Sequence, residues 1–213
     1  MKHSLIKLAQ TVVLLMFSAC VQASSYDDFF RAIELDDVST VNRLLARGFD
    51  PNTPDAKGQV ALYVALRAGS EKVAQALASH PELKVDATNA AEETPLMMAA
   101  LRGALEPAQR LLTRGAAVNR PGWTPLHYAA SGPNPALVRV LLERGASVDA
   151  RSPNGSTPLM MAARYGSEDA VALLLERGAD ASARNQLDLG PADFARAVGR
   201  ESLAKRLESL ARR

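Results

Sequence analysis

One heptapeptide returns along the chain at a nearly constant interval, and that repetition restricts the fold more than any other feature. Thr94-Pro95-Leu96-Met97-Met98-Ala99-Ala100 recurs as Thr124-Pro125-Leu126-His127-Tyr128-Ala129-Ala130 and as Thr157-Pro158-Leu159-Met160-Met161-Ala162-Ala163, at offsets of 30 and 33 residues. A second motif travels with it: Leu111-Leu112-Thr113-Arg114-Gly115-Ala116, Leu141-Leu142-Glu143-Arg144-Gly145-Ala146 and Leu174-Leu175-Glu176-Arg177-Gly178-Ala179. Weaker copies stand at Val60–Leu66, at Gly190–Arg196 and at Leu44–Gly48. A period of this length means a stacked array, because each unit is too small to bury its own apolar face.

Local chemistry predicts two helices per unit. Thr is placed to cap the first helix, and Pro at the first helical position lacks the N–H that would be orphaned there. Leu and the paired Ala residues share one face, and their small size allows helices to approach closely. Gly69, Gly103 and Gly166 are expected to end first helices in a left-handed conformation. Val138, Leu141 and Leu142 show helical spacing in a second helix. The segment from Asp149 to Gly155 reads as a projecting turn.

These motifs resemble the ankyrin repeat, a 33-residue unit with a Thr-Pro-Leu-His tetrapeptide, a Gly between two helices and a Leu-Leu-x-x-Gly-Ala ending. The resemblance implies an all-α ankyrin-repeat solenoid over residues 24–213, in units of about 25–57, 58–91, 92–121, 122–154, 155–187 and 188–213, the outer two acting as caps. Unit three departs from the pattern: Arg120-Pro121-Gly122 stands where unit four has six residues, 150–155. Its turn should be tight. Unit four carries Gly132-Pro133-Asn134-Pro135 at the inter-helix position, and unit two ends in His80-Pro81-Glu82-Leu83-Lys84 instead of Gly-Ala.

Residues 1–23 read as a signal peptide. Lys2, His3 and Lys7 precede an uncharged apolar stretch, Leu8 to Phe17, too short for a comfortable membrane span. Val21-Gln22-Ala23 before Ser24 fits cleavage after small residues. Ser18-Ala19-Cys20 resembles a lipobox, which would make Cys20 a lipidation site, although Phe17 replaces its usual Leu. The expectation is export to a bacterial periplasm, with an outer-membrane lipoprotein as the alternative. Cys20 is the single cysteine, so cleavage after Ala23 leaves no disulfide. The chain has 25 basic and 23 acidic side chains, and Lys2 and Lys7 leave with the leader. The remainder, with 23 of each, is neutral and gives no electrostatic reason to bind nucleic acid; a membrane enters only through a lipidated Cys20.

Chemistry is not encoded in any recognisable constellation. The phosphate loop, the nucleophile elbow and the dinucleotide fingerprint are all absent. His80 sits at a helix end, and the family resemblance implies that His127 hydrogen-bonds loop backbone, so neither implies a metal. Met97, Met98, Met160 and Met161 read as packing, and turn carboxylates such as Glu92-Glu93 and Asp36-Asp37 as solvated groups. A non-catalytic monomer without cofactor is expected, binding another protein. The resemblance implies a concave surface built from turns and first helices, and contact residues are chosen there by position. They are Gln59, Glu93, Trp123 and Ser156 just before first helices, and Arg67, Leu101, Arg102, Arg164 and Tyr165 at their ends. Trp123 and Tyr165, flanked by Arg102 and Arg164, form the expected centre, because Trp, Tyr and Arg dominate binding energy. Trp123 has a second reading, as packing over the shortened Pro121-Gly122 turn.

Overall fold

The computed structural model describes residues 25–212, and they form twelve helices with no strand among them. The leader, Cys20 and both cleavage contexts lie outside the described residues. Helix α1 spans residues 25–34 and α2 Val38–Ala46. Then follow α3 (Ala61–Ala68) and α4 (Glu71–Ser79), α5 (Pro95–Arg102) and α6 (Leu105–Thr113), α7 (Pro125–Ser131) and α8 (Pro135–Glu143). The series closes with α9 (Pro158–Tyr165) and α10 (Glu168–Glu176), then α11 (Pro191–Arg196) and α12 (Glu201–Ala211). From α3 on, each helix packs on its pair-mate, and successive first helices α3, α5, α7, α9 and α11 pack in sequence order. Second helices α2, α4, α6, α8 and α10 form a parallel row behind them. One apolar core, from Phe29 and Ile33 to Leu203 and Leu207, runs through the whole array.

The helix starts follow the local chemistry. Thr94 and Thr157 cap α5 and α9 by accepting the N–H groups of Met97 and Met160 at 3.3 and 3.4 Å. The return half of the capping box usually falls to Glu. Here the sulfurs of Met97 and Met160 accept the N–H of Thr94 and Thr157, His127 Nδ1 accepts that of Thr124, and Asp193 accepts that of Gly190. Met97 and Met160 are buried, as packing predicts, but they also close the cap.

Inter-helix glycines serve two ends. Gly69 and Gly103 are left-handed, at φ 79° and 75°. Gly166 is not: its φ is −85°, and Gly132 in the preceding unit matches it at −83°. The expectation for Gly166 is therefore corrected. A Cβ on Gly166 would stand 2.2 Å from the carbonyl oxygen of Ala130, and one on Gly132 2.6 Å from that of Ala100. Glycine is needed there because neighbouring first helices leave no room for a side chain.

A ladder of side chain to backbone bonds joins unit to unit. Asn52 accepts the N–H of Lys84, Asp86 that of Ala117, Asn119 that of Ser147 and Asp149 that of Asp180, at 2.7–3.0 Å. Three residues after Asp86 and Asp149, the turn folds into a small hairpin. The N–H of Asn89 donates to Glu93 O and that of Ser152 to Ser156 O, as Asp55 does to Gln59 and Asn185 to Leu189. After Asn119 only Arg120, Pro121 and Gly122 intervene before Trp123. The unit-three turn keeps its rung and loses its tip.

Irregular ends are closed by arginine. The His80–Lys84 ending turns α4 into extended backbone, and Arg114 donates to the carbonyls of Ala78, His80, Pro81 and Leu83. Arg200 donates to Ala162, Ala163 and Gly166 at the end of α9.

Because the Gly166 contact is with backbone, Gly166→Ala should lower unfolding free energy by about 2–3 kcal/mol. Gly145→Ala, at φ 84° with nothing within 4 Å, should cost about 1 kcal/mol through left-handed strain alone. Urea unfolding of the two variants measures the difference, and equal losses would contradict the steric account.

Candidate functional site

The ends of α5, α7 and α9, together with Trp123, enclose a concavity of about 390 Å³ on the first-helix side of the array. Leu101, Trp123, Tyr128, Met161 and Tyr165 supply apolar walls, with His127 and Ser131 at the floor and rim. The structure thus brings both aromatics of the expected centre, Trp123 and Tyr165, together with the expected contact residue Leu101. The Trp123 ring meets His127 edge-on at 5.2 Å between centroids and Tyr128 at 6.5 Å. Trp123 is half-buried, packed on its own helix and still open to the concavity. Tyr165 is 57% exposed, the most open of the tyrosines along this face. Arg164 lies against it, its guanidinium carbon 5.3 Å from the ring centre.

The other expected residues are placed differently. Arg102 turns away from the concavity and reaches over Gly69 in unit two. Arg67 donates to the side chain of Gln59, so these two form a local pair. Ser156 is corrected: it is 1% exposed, its N–H bonded to Ser152 Oγ and its carbonyl facing His127 Nε2 at 3.0 Å, so it offers no surface to a partner. A carbonyl accepts only, so His127 carries its proton on Nε2 and its Nδ1 accepts from Thr124 N and Oγ1 at 3.2 and 2.9 Å. Burial holds the His127 pKa below its ordinary value, and the ring is neutral.

Glu93 is the larger surprise. Read in sequence as a solvated turn carboxylate, it is half-buried and ties three units together. Tyr63 of α3 donates its hydroxyl to Glu93 Oε2 at 2.5 Å, Asn89 adds an N–H to the same oxygen at 2.9 Å, and Tyr128 of α7 donates to Oε1 at 2.8 Å. Burial pushes the Glu93 carboxyl up, but these three bonds outweigh it and hold the group below the usual carboxylate range. The tyrosines respond oppositely. Burial, then the hydrogen bond to Glu93 and its charge, raise the Tyr63 and Tyr128 hydroxyls far above an ordinary phenol. Since Tyr128 is a wall of the concavity, Glu93 fixes that wall from behind. Met161 reads in sequence only as packing and Tyr128 only as a position of the repeat; nothing along one dimension signals that a hydroxyl from α3 and another from α7 converge on one carboxylate.

Comparison with known proteins agrees with this geometry. The family model for ankyrin repeats in three copies matches residues 29–121 and 108–185. The chain belongs to the ankyrin-repeat family. Similar proteins include the ankyrin repeat and SAM domain-containing protein 6 of Rattus norvegicus, 37% identical over 49% of this chain and 12% of that protein. An ankyrin repeat protein of Rickettsia felis is 33% identical over 56% of this chain and 52% of that one. The matched region thus spans only part of these relatives. A solved structure of the predatory endopeptidase Bd0816 from Bdellovibrio bacteriovorus in complex with immunity protein Bd3460 holds a chain with the same fold. The TM-score is 0.71 at 26% identity, covering 85% of this chain and 97% of that one.

Removing the Glu93 charge should be visible in two ways. Glu93→Gln should lower the ionisation pKa of two tyrosines, followed by ultraviolet titration. It should also destabilise the array by about 1–3 kcal/mol at neutral pH, through weakened charge-assisted bonds. Since the folded pKa of Glu93 lies below its unfolded value, its contribution is complete above the unfolded pKa and is lost as pH falls through the folded one. The stability gap between wild type and Glu93→Gln should therefore be widest at neutral pH and close in acid. A gap independent of pH would contradict the assignment.

Proposed function

We propose that this chain is a non-catalytic binding protein of the bacterial periplasm that holds a partner protein, an envelope enzyme or a toxin to be neutralised, on its first-helix face. The observation that carries this reading is the likeness to the chain from the endopeptidase–immunity protein complex, which extends over nearly all of that chain. The family supports it as well, since stacked repeats create extended binding surfaces rather than reaction pockets. Trp123, Tyr165 and Leu101 are the proposed anchors, with Arg164 beside them and Tyr128 and Met161 completing the seat. Gln59 and Arg67 border this face in unit two, and Glu93 and Arg102 in unit three. An interface of ordinary size takes about 800 Å² from each partner, so the seat is the centre of a wider contact.

Periplasmic action rests on the leader, with residues 1–23 removed and the array beginning at 24. None of the described helices is long and apolar enough to cross a membrane. Ser18-Ala19-Cys20 favours a second reading, an outer-membrane lipoprotein anchored through Cys20. Mass spectrometry of the mature N-terminus decides between them: an unmodified start at Ser24 for the first, a diacylated Cys20 for the second.

Tyr165 is exposed and contributes little to the core, so Tyr165→Ala should leave Tm unchanged. It should weaken capture of the partner from crosslinked native envelopes at least about tenfold, the loss expected of a central aromatic anchor. Trp123→Ala should do the same with a modest drop in Tm, from lost packing on His127. Undiminished capture by both variants would reject the proposed face.

A further inference from the structure

The seat on α5, α7 and α9 is selective in a direction that its walls alone would not give. Resting on the protein-binding reading above, we propose that what enters it is a loop of the partner carrying an apolar side chain with carboxylates on either side.

Apolar character follows from the walls of Leu101, Trp123, Tyr128, Met161 and Tyr165 and from the commitment of the polar groups at the floor. Both ring nitrogens of His127 are bonded within the array, and Ser131 Oγ donates to the His127 carbonyl at 2.9 Å. A polar group pushed to the floor of this seat would leave water and find the His127 and Ser131 groups already bonded to the array, which is unfavourable. An aliphatic or aromatic side chain loses nothing and gains the burial of Trp123, Tyr165, Leu101 and Met161.

The charge preference comes from the rim. Aromatic walls ordinarily attract cations. Here the Tyr165 face already carries the Arg164 guanidinium, and Arg120, in the shortened turn, lines a second recess of about 120 Å³ with Trp123 and Tyr128. Neither arginine forms an ion pair among the described residues. Two carboxylates stand near the same recess. Glu93 has both oxygens taken by Tyr63, Asn89 and Tyr128. Glu92 is exposed on the preceding turn and makes no ion pair with Arg120. Glu93 keeps its negative charge behind the Tyr128 wall, while Arg120 and Arg164 flank the seat with no carboxylate paired to either. This favours acidic side chains where the incoming chain passes these two guanidinium groups and disfavours basic ones there.

Access comes from the missing tip. The hairpins closed at Asn89–Glu93 and Ser152–Ser156 project on either side, and between them the chain runs directly from Asn119 to Trp123. Pro153 of the next hairpin comes within 3.6 Å of where a Cβ on Gly122 would stand, and the recess left beside it opens to Arg120 and Trp123. A loop of the partner therefore reaches the Trp123 side of the seat over this low point.

Trp123 is the only tryptophan, so its fluorescence reports occupancy without a label. The full exported chain is titrated with three short peptides that differ only in the residues flanking a central Phe: aspartate, serine or lysine. The aspartate peptide should bind tightest and the lysine peptide weakest, about fivefold or more apart at low salt and converging at high salt. Combined Arg120→Glu and Arg164→Glu substitution, both on the surface, should invert that order with an unchanged circular dichroism spectrum. Equal affinity for all three peptides, or an order that survives the reversal, overturns the charge preference while leaving the apolar seat standing. If no peptide shifts Trp123, the docking reading fails together with this one. A Trp123 shift that depends on protein concentration alone, with dimers by light scattering, assigns the seat to a second copy and overturns the proposal.

Discussion

The contact between consecutive first helices is the constraint on which everything else depends. At Gly132 and Gly166 it is so close that the carbonyl of the preceding unit occupies the space of a Cβ. The Ala pairs at 99–100, 129–130 and 162–163, all fully buried, make that approach available along the rest of the helix. No unit has a core of its own, and stability is a sum over such neighbour contacts. The side chain rungs from Asn52, Asp86, Asn119 and Asp149 hold the same spacing at the base of the turns.

Rigid stacking explains how a shallow surface becomes a defined seat. Leu101, Tyr128 and Tyr165 belong to different units, and their separation is fixed by helix packing rather than by a loop. Glu93 adds a second restraint by receiving hydroxyls from α3 and α7 across its own unit. A partner meeting this surface finds aromatic rings already in place, so little conformational freedom is lost on binding.

The fold was legible because it is written three times in register. Thr-Pro at a helix start and Leu-Leu-x-x-Gly-Ala at its pair-mate's end are local signals, and each does locally what it announces. Gly166 was legible as a requirement for glycine but not in its cause, since φ is set by a carbonyl in another unit. The site was half legible. Trp123 and Tyr165 stood out as aromatics at positions the repeat does not prescribe. Ser156 was chosen by the same rule and proved to be core, because an Asx-type hairpin turns its side chain inward. Arg102 and Arg164 occupy similar places in their helices yet point to different neighbours. Such differences arise between units, where sequence spacing carries no direction.

The truncated turn has a wider meaning. Dropping three residues after Asn119 removed a hairpin and left the stack intact, so fingertip length and architecture vary independently. The contact surface can therefore change through insertions and deletions confined to the turn tips while the helix stack stays as it is. The same independence makes residues 120–122 a natural grafting point, where foreign loops of different lengths can be tried on an unaltered chassis.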